Sequence, residues 1–334
     1  MKTLKSDLKD KVILITGASG FIGSSLIIAL EELEAKKIIR VCRNKISPKD
    51  KIDDWVLDLN EESSWLKIVN HADIIIHLSG NTSVKFAEQF PLLSLNSTVL
   101  PIIHLISASK KLSKKPKVIF ASTATIYGMK TKMPVKEVDY PMPKTNYDLH
   151  KFFAEQQLEV ACRDGIIDSI SLRLANVYGP SINESSSNDR GVLTQITKMS
   201  FANIGLKLYG DGKYLRDYVY IDDVISAFIH LCAIDFRKIR KNSKFVFNVA
   251  SGVGTSVKEV FSLISYEVEK ITKVKVEIKS IPWPDDTYEI EKRDYIGSIE
   301  LLKSISDWRP NIQIERGIYF LVNHYSKEYF NEIS

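Results

Sequence analysis

Cysteine is scarce in this chain of 334 residues: Cys42, Cys162 and Cys232 are the three present, far apart and at no metal-ligand spacing. An odd, sparse count fits a reducing compartment in which thiols stay free. The six histidines show no paired spacing of the kind zinc sites use, so no metal centre is expected. Excess charge is also missing. The 46 Lys and Arg residues against 41 Asp and Glu leave +5, too little at this length to require nucleic acid or a membrane surface as partner. The apolar run behind the lysine-rich start, residues 12–15, is too short for a signal-peptide core or a membrane span, and a soluble cytoplasmic protein is expected. What is present is ordinary for a globular protein, 26% charged and 44% hydrophobic residues, which excludes wholesale disorder, a collagen-like repeat or a disulfide-built miniprotein. The length accommodates one large α/β domain or two modest ones.

Short apolar runs alternate with amphipathic stretches through the first half. Residues 11–16 (KVILIT) read as a buried strand, rich in β-branched side chains, and 38–42, 55–57, 74–78 (IIIHL), 118–122 (VIFAS) and 170–174 (ISLRL) read as further strands. Helices are expected over 21–35, 96–112 and 147–162. Continuous apolar strands between helices indicate a parallel sheet covered on both faces. The pattern changes near Asn176. Residues 181–190 (SINESSSNDR) are polar and loop-like, 192–202 helical, 207–209 and 218–221 short strands. Residues 245–250 (FVFNVA) read as a strand returning to the main sheet, and 274–280 as a strand among carboxyl-terminal helices. The expected layout is a nucleotide-binding core over 1–176, with 215–252 returning to it, and a smaller lobe from 177–214 and 253–334. No internal repeat is present.

Gly17, Gly20 and Gly23 follow the first strand and open the first long helix. The first glycine permits the tight turn, the second lets the backbone approach a pyrophosphate, and the third lets helix and strand pack closely, with free N–H groups at the helix start facing the anion. Asp58 and Leu59 end the third strand. There they can meet an adenine, or form the lead-in to a helix beginning near Glu61 and Glu62. Tyr147 and Lys151 stand four apart on one helical face. A phenol ionises near about 10, and a neighbouring cation favours its phenolate, which can then act as a base near neutral pH. Ser122 and Thr123 end the fifth strand, where a hydroxyl can hydrogen-bond the same substrate oxygen. Standing alone, a Tyr-x-x-x-Lys pair is an ordinary solvated pair; the upstream hydroxyls make it specific.

Together with His77-Leu-Ser-Gly80, Asn96, the run STATIYG at 122–128, LRLANVYGP at 172–180, YGDG at 209–212 and RDYV at 216–219, these motifs resemble the extended short-chain dehydrogenases/reductases that act on nucleotide sugars, the epimerase/dehydratase type. The resemblance runs from about residue 10 to 310 and implies a doubly wound α/β fold of the Rossmann type with a smaller substrate-binding lobe. It implies that Thr123 is the catalytic hydroxyl, Tyr147 the base and Lys151 its partner. It places an NAD(P) cofactor against Gly17, Ser19, Gly20, Phe21, Ile22, Gly23, Asp58, Leu59, Leu78, Ser79, Gly80, Asn96, Tyr147, Lys151 and Val177. It places a nucleotide-sugar substrate against Thr82, Thr123, Asn176, Arg190, Tyr209, Arg216 and Arg293. Arginine suits this task because its planar fork pairs with phosphate oxygens, although any single arginine could equally be a surface ion pair. The helices over 96–112 and 147–162 match those that form a four-helix dimer interface in relatives, so a homodimer is expected.

Two departures narrow the reading. Relatives that use NAD place an Asp at the end of the second strand, where this chain has Arg43; an arginine there suits a 2′-phosphate and favours NADP, unless it is an ordinary surface residue. The 4,6-dehydratases carry an Asp-Glu pair after the catalytic Thr, where this chain has Ala124 and Thr125, so the elimination lacks its acid and base. The run STATIYG instead resembles the UDP-galactose 4-epimerase type, although Thr82, with Lys85 nearby, stands where that type has a Lys. The expected activity is C4 epimerisation of a nucleotide sugar. The alternatives are an NADPH-dependent 4-ketoreductase and, in a different class, a retired NADP-binding regulator or an RNA-associated protein. The cluster Lys110, Lys111, Lys114, Lys115 and Lys117 could be offered for that last reading, but a solvated helix end explains it as well.

Overall fold

The computed structural model describes residues 2–42, 51–130, 132–182, 191–242 and 245–333. The first part runs α1 (Lys2–Leu8), β1 (Val12–Thr16), α2 (Phe21–Glu32), β2 (Lys37–Cys42), β3 (Ile52–Val56), α3 (Glu62–His71), β4 (Ile74–His77), α4 (Val84–Gln89), α5 (Pro91–Thr98), α6 (Leu100–Leu112), β5 (Lys117–Thr123), α7 (Asn146–Arg163) and β6 (Asp168–Leu174). The second runs β7 (Asn176–Tyr178), α8 (Val192–Phe201), β8 (Leu206–Tyr209), β9 (Leu215–Tyr220), α9 (Ile221–Ala233), α10 (Phe236–Asn242), β10 (Val246–Val249), β11 (Gly254–Ser256), α11 (Val257–Thr272), β12 (Ile278–Ile281), α12 (Glu300–Ile305) and α13 (Ile314–Ile333).

The main sheet has seven strands in the order β10-β6-β5-β4-β1-β2-β3, and every pair in it is parallel. This is the Rossmann-type doubly wound sheet. The apolar runs are continuous because both faces are covered. Ile13, Ile15, Ile76 and Ile119 pack with Leu26, Leu30 and Phe228 on one side, and Leu14, Ile75, Val118 and Phe120 pack with Trp65, Ile102, Leu105 and Leu158 on the other. Each such side chain, fully buried, contributes about 1.5–3 kcal/mol of transfer free energy. The chain changes direction across the sheet between β1 and β4. A crevice therefore opens beyond their carboxyl ends, the place where ligands bind in sheets of this kind.

Two elements differ from the sequence expectation. The helix expected over 96–112 is two, α5 and α6, meeting at Val99; Pro101 sits in the first turn of α6 and has no N–H to continue the helix from α5. By length and composition the run Pro91–Leu112 could cross a membrane. In the fold, however, Ile102, Leu105 and Ala108 are fully buried against the core, as in a core helix. The strand near 218–221, within the segment 215–252, is β9, which joins β7 and β11 in a separate three-stranded sheet; of the strands of that segment β10 joins the main sheet, beside β6, while α9 packs on its face through Phe228. β8 and β12 form a third, two-stranded sheet.

Buried carboxylates fasten these pieces together. Asp217 accepts from the amides of Ser251 (2.7 Å), Gly252 (3.0 Å) and Gly297 (3.1 Å). Asp223 accepts from the amides of Asn311 (2.9 Å) and Ile312 (3.0 Å), which ties the start of α9 to the segment leading into α13.

Candidate active site

A cavity of about 1700 Å³ lies over the carboxyl ends of β1, β4, β5 and β6 and reaches into the smaller sheets. Its floor begins with the glycine turn. Gly17 has φ +68°, and a Cβ there would stand 2.9 Å from the Leu78 carbonyl carbon and the Ser79 nitrogen. A Cβ on Gly23 would meet the Gly17 oxygen at 2.4 Å. Both positions therefore exclude side chains, and the turn lies tight on β4. No side chain caps α2, whose N-cap is Gly20, so the amides of its first turn are left for an anion. These residues fit the pyrophosphate of a dinucleotide. Ser19, Phe21, Ile22, Leu78, Ser79 and Gly80 line the same wall.

Beneath this wall, Thr16 at the end of β1 and His77 at the end of β4 are hydrogen-bonded partners, Oγ1 to Nδ1, at 2.7 Å. His77 is fully buried and stacked on Phe120. Burial, and then the charge of Lys151, lower its pKa to about 3, so the ring is neutral near pH 7.

The reactive side chains converge from two elements. Thr123 ends β5. Tyr147 and Lys151 lie one turn apart in α7, whose N-cap is Thr145. Lys151 is buried, donates from Nζ to the Ala121 carbonyl at 2.9 Å and sits 4.8 Å above the Phe120 ring. All three line the cavity. Thr123 and Thr125 share a hydrogen bond between their hydroxyls at 2.9 Å, and Thr125 donates to the carboxylate of Asp148, a residue with no exposed surface. Asp148 lies outside the sequence motifs; its signal is a carboxylate directly after the tyrosine, on the helix face turned to the core.

The far end of the cavity is cationic and aromatic. Arg216 donates to the carbonyls of Arg293 and Glu291, the latter at 2.6 Å. Arg293 donates from Nη1 to the Ile290 carbonyl at 2.8 Å, while its buried Nε has no hydrogen-bond partner among the described residues. Neither guanidinium has a carboxylate partner in an ion pair among the described residues. Burial, and then Arg216, lower the Arg293 pKa to about 10, and burial lowers that of Arg216. Two desolvated cations side by side gain from an anion placed between them. Tyr209 is stacked on Trp283 with ring centres 5.3 Å apart, and both line the cavity. Trp283 was not read from the sequence, because no motif surrounds it.

Asp58, Leu59, Thr82, Asn176 and Val177 also line the cavity. The Asp58 carboxylate accepts from the Asn60 amide at 2.9 Å in the turn before α3. Asn96 lies on α5, but there the wall is formed by Ser97. Arg43 and Arg190 lie outside the described residues. A second cavity of about 800 Å³ at the amino ends of β4, β5 and β6 is bordered by Lys117, whose ammonium group is held by the carbonyls of Cys232 and Ile234.

The chain is 28% identical over 321 residues to a putative UDP-glucose 4-epimerase of Methanocaldococcus jannaschii, covering 93% of this chain and 97% of that one. It is 26% identical to a dTDP-4-dehydro-6-deoxyglucose reductase of Escherichia coli, covering 95% and 98%. A solved UDP-glucose 4-epimerase of Thermotoga maritima with UDP-glucose superposes with a TM-score of 0.79 at 27% identity, covering 95% of this chain and 99% of that one. These relatives are an enzyme class of epimerases and oxidoreductases. The model of the NAD dependent epimerase/dehydratase family matches residues 13–250, which contain the glycine turn, Thr123, Tyr147 and Lys151, and the chain belongs to that family.

Proposed function

We propose that the protein is a nucleotide-sugar epimerase acting at C4. The observation that carries this reading is the sharing of one cavity by Thr123, Tyr147 and Lys151 at one end and, at the other, by Arg216 and Arg293, which make no ion pair among the described residues. The cationic end holds the diphosphate, and the sugar then reaches the reactive end. Tyr147 removes the proton from the C4 hydroxyl and later returns it. Lys151, fixed by Ala121 and Phe120, holds positive charge beside the phenolate. The nicotinamide, when bound, supplies the acceptor and donor of hydride. For inversion the oxidised sugar must turn about its diphosphate. Leu174, which ends β6 opposite Thr123 and lines the cavity, is a smaller side chain than an aromatic and is compatible with that turn. Ala124 and Thr125 after Thr123 place no carboxylate of that strand end against the sugar, which argues against a dehydratase.

The M. jannaschii relative and the T. maritima structure, both named as UDP-glucose 4-epimerases, support this reading. The E. coli relative, named as a reductase, and Arg43 support the second: reduction of a 4-keto-6-deoxy nucleotide sugar with NADPH. We assign the protein to the cytoplasm and to a homodimer formed through α5, α6 and α7, where Leu92, Leu93, Leu149 and Phe153 are exposed. Sedimentation of the purified protein tests the dimer. Incubating the protein with NAD and a panel of UDP-, dTDP-, GDP- and CDP-sugars, with chromatography of the products, tests the activity. Conversion of at least one sugar to its C4 epimer is the expected result, and none would refute the reading.

A further inference from the structure

We propose that Glu88 is a positioning residue for Tyr147: its carboxylate, reaching across from α4, fixes the first turn of α7, which carries the base. This rests on the role given to Tyr147 above, which the epimerase and reductase readings share. Tyr147 is the second residue of α7. The amides of a helix's first turn have no intrahelical partners, and that turn is the one that frays. In α7 the ladder begins at Leu149, whose amide donates to the Thr145 carbonyl at 2.9 Å. Ahead of it, the Asp148 amide donates to the Thr145 hydroxyl at 3.2 Å, a contact within the turn itself. The Asn146 amide instead donates to Glu88 Oε1 at 2.6 Å, and Asn146 Nδ2 donates to Oε2 at 2.9 Å. Glu88 thus grips the residue directly before Tyr147 by main chain and side chain at once, from 58 residues away in sequence. A carboxylate suits this place, because the amino end of a helix carries partial positive charge and the bonds are charge-assisted.

The other side of α4 faces the cavity. The helix is six residues long and is seated by Ala87, which is fully buried. Thr82 just before it, and Val84 and Phe86 within it, line the cavity. A wall of the cavity and the turn that carries the base are thereby joined through one side chain. The consequence concerns distance, since a displacement of about 1 Å in a reacting group can cost about a hundredfold in rate. A second bond, between His150 Nδ1 and Ser94 Oγ at 3.0 Å, joins α7 to α5. It lies beyond the start of the ladder, so it adds to packing without holding the first turn, and it provides the control.

Glu88→Ala tests this in the full chain loaded with NAD. Amide hydrogen exchange read by mass spectrometry should rise at least about tenfold in peptides covering 145–149 and keep its wild-type rate over 152–163. With whichever sugar of the panel wild type converts fastest, kcat should fall about ten- to hundredfold, while KM and NAD affinity stay within about twofold. Glu88→Gln, which keeps an oxygen for the Asn146 amide, should recover most of both losses. Ser94→Ala should leave kcat within about twofold of wild type. In a Tyr147→Phe background, Glu88→Ala should cost little more, because the base it positions is gone. Should Glu88→Ala fail to fold, Asn146→Ala, which removes the side-chain half of the grip, carries the test with a loss of about three- to tenfold. Unchanged exchange over 145–149, or faster exchange with unchanged kcat, would overturn the inference. So would a loss of kcat that Ser94→Ala shares, or one that adds in full to that of Tyr147→Phe, since these mark general packing. If wild type converts no sugar of the panel, the epimerase reading alone fails, and the same rates are read as NADPH oxidation with a 4-keto-6-deoxy nucleotide sugar. Inertness in both assays would take the base from Tyr147 and overturn this inference as well.

Discussion

Lys151 donates from Nζ to the main-chain carbonyl of Ala121 at 2.9 Å, and this bond fastens α7 to β5 two residues before Thr123. Tyr147, Lys151 and Thr123, the proposed base, its cation and the proposed hydroxyl, thus stand on a helix and a strand joined to each other rather than on loops. Tyr147→Phe removes the proton acceptor and keeps the ring. Turnover should fall by at least about a hundredfold, given the usual worth of general base catalysis, while cofactor binding is kept. Thr123→Ala should lose less, and Thr123→Ser should remain active. Steady-state rates alongside cofactor titration check this; near-normal turnover in Tyr147→Phe would exclude Tyr147 as the base.

Arg216 and Arg293 make a second, independent prediction. If the buried pair exists to take a diphosphate, UDP alone should raise the melting temperature of the wild-type protein by mass action. Arg216→Met should then weaken UDP binding by about ten- to hundredfold, the worth of charge-assisted hydrogen bonds. Calorimetric titration measures it, and unchanged affinity would remove Arg216 from the site.

How much of this was legible beforehand follows from where the information sits. The sheet and the glycine turn were readable because they depend on local pattern: β-branched runs such as residues 11–16, and glycines where any Cβ would strike backbone. Tyr147 and Lys151 were singled out by their spacing on one helix together with the hydroxyls that end the fifth strand, and all of these line the cavity. Asp148 and Trp283 were not, because their roles depend on partners distant in sequence, Thr125 and Tyr209. The break at Val99 was hidden because α5 and α6 form one apolar stretch, and a proline in a first turn marks a helix start as readily as an interruption. The place of β9 in a separate sheet was hidden for a different reason: strand pairing is set by tertiary packing, not by the strand's own pattern.

His77 gives a pH prediction. Its folded pKa of about 3 lies below the ordinary 6.5, so between those values the unfolded chain binds a proton that the folded one refuses. This part of the stability is fully present above pH 6.5 and is lost as pH falls from there toward 3. Denaturant unfolding at a series of pH values should show the loss in wild type and a flatter curve in His77→Gln. Identical slopes for the two proteins would show that His77 is not the group responsible.

Cofactor choice turns on Arg43. If it pairs with a 2′-phosphate, NADP should bind more tightly than NAD, and Arg43→Ala should weaken NADP by roughly 1.5–3 kcal/mol while leaving NAD nearly unchanged. Fluorescence titration with both nucleotides measures this. Equal affinities in the wild type would remove the argument for NADP and favour the epimerase over the reductase.

The two functional readings share Tyr147, the cavity and the placement of the sugar, and they differ in whether electrons leave the protein. The most direct measurement follows a nucleotide sugar deuterated at C4. Epimerisation returns the same hydride, so the account predicts an epimer that keeps its deuterium, formed at a rate independent of added NADPH. Loss of NADPH absorbance in step with a 4-keto-6-deoxy nucleotide sugar, with no sugar of the panel epimerised, would contradict the account and establish the reductase in its place.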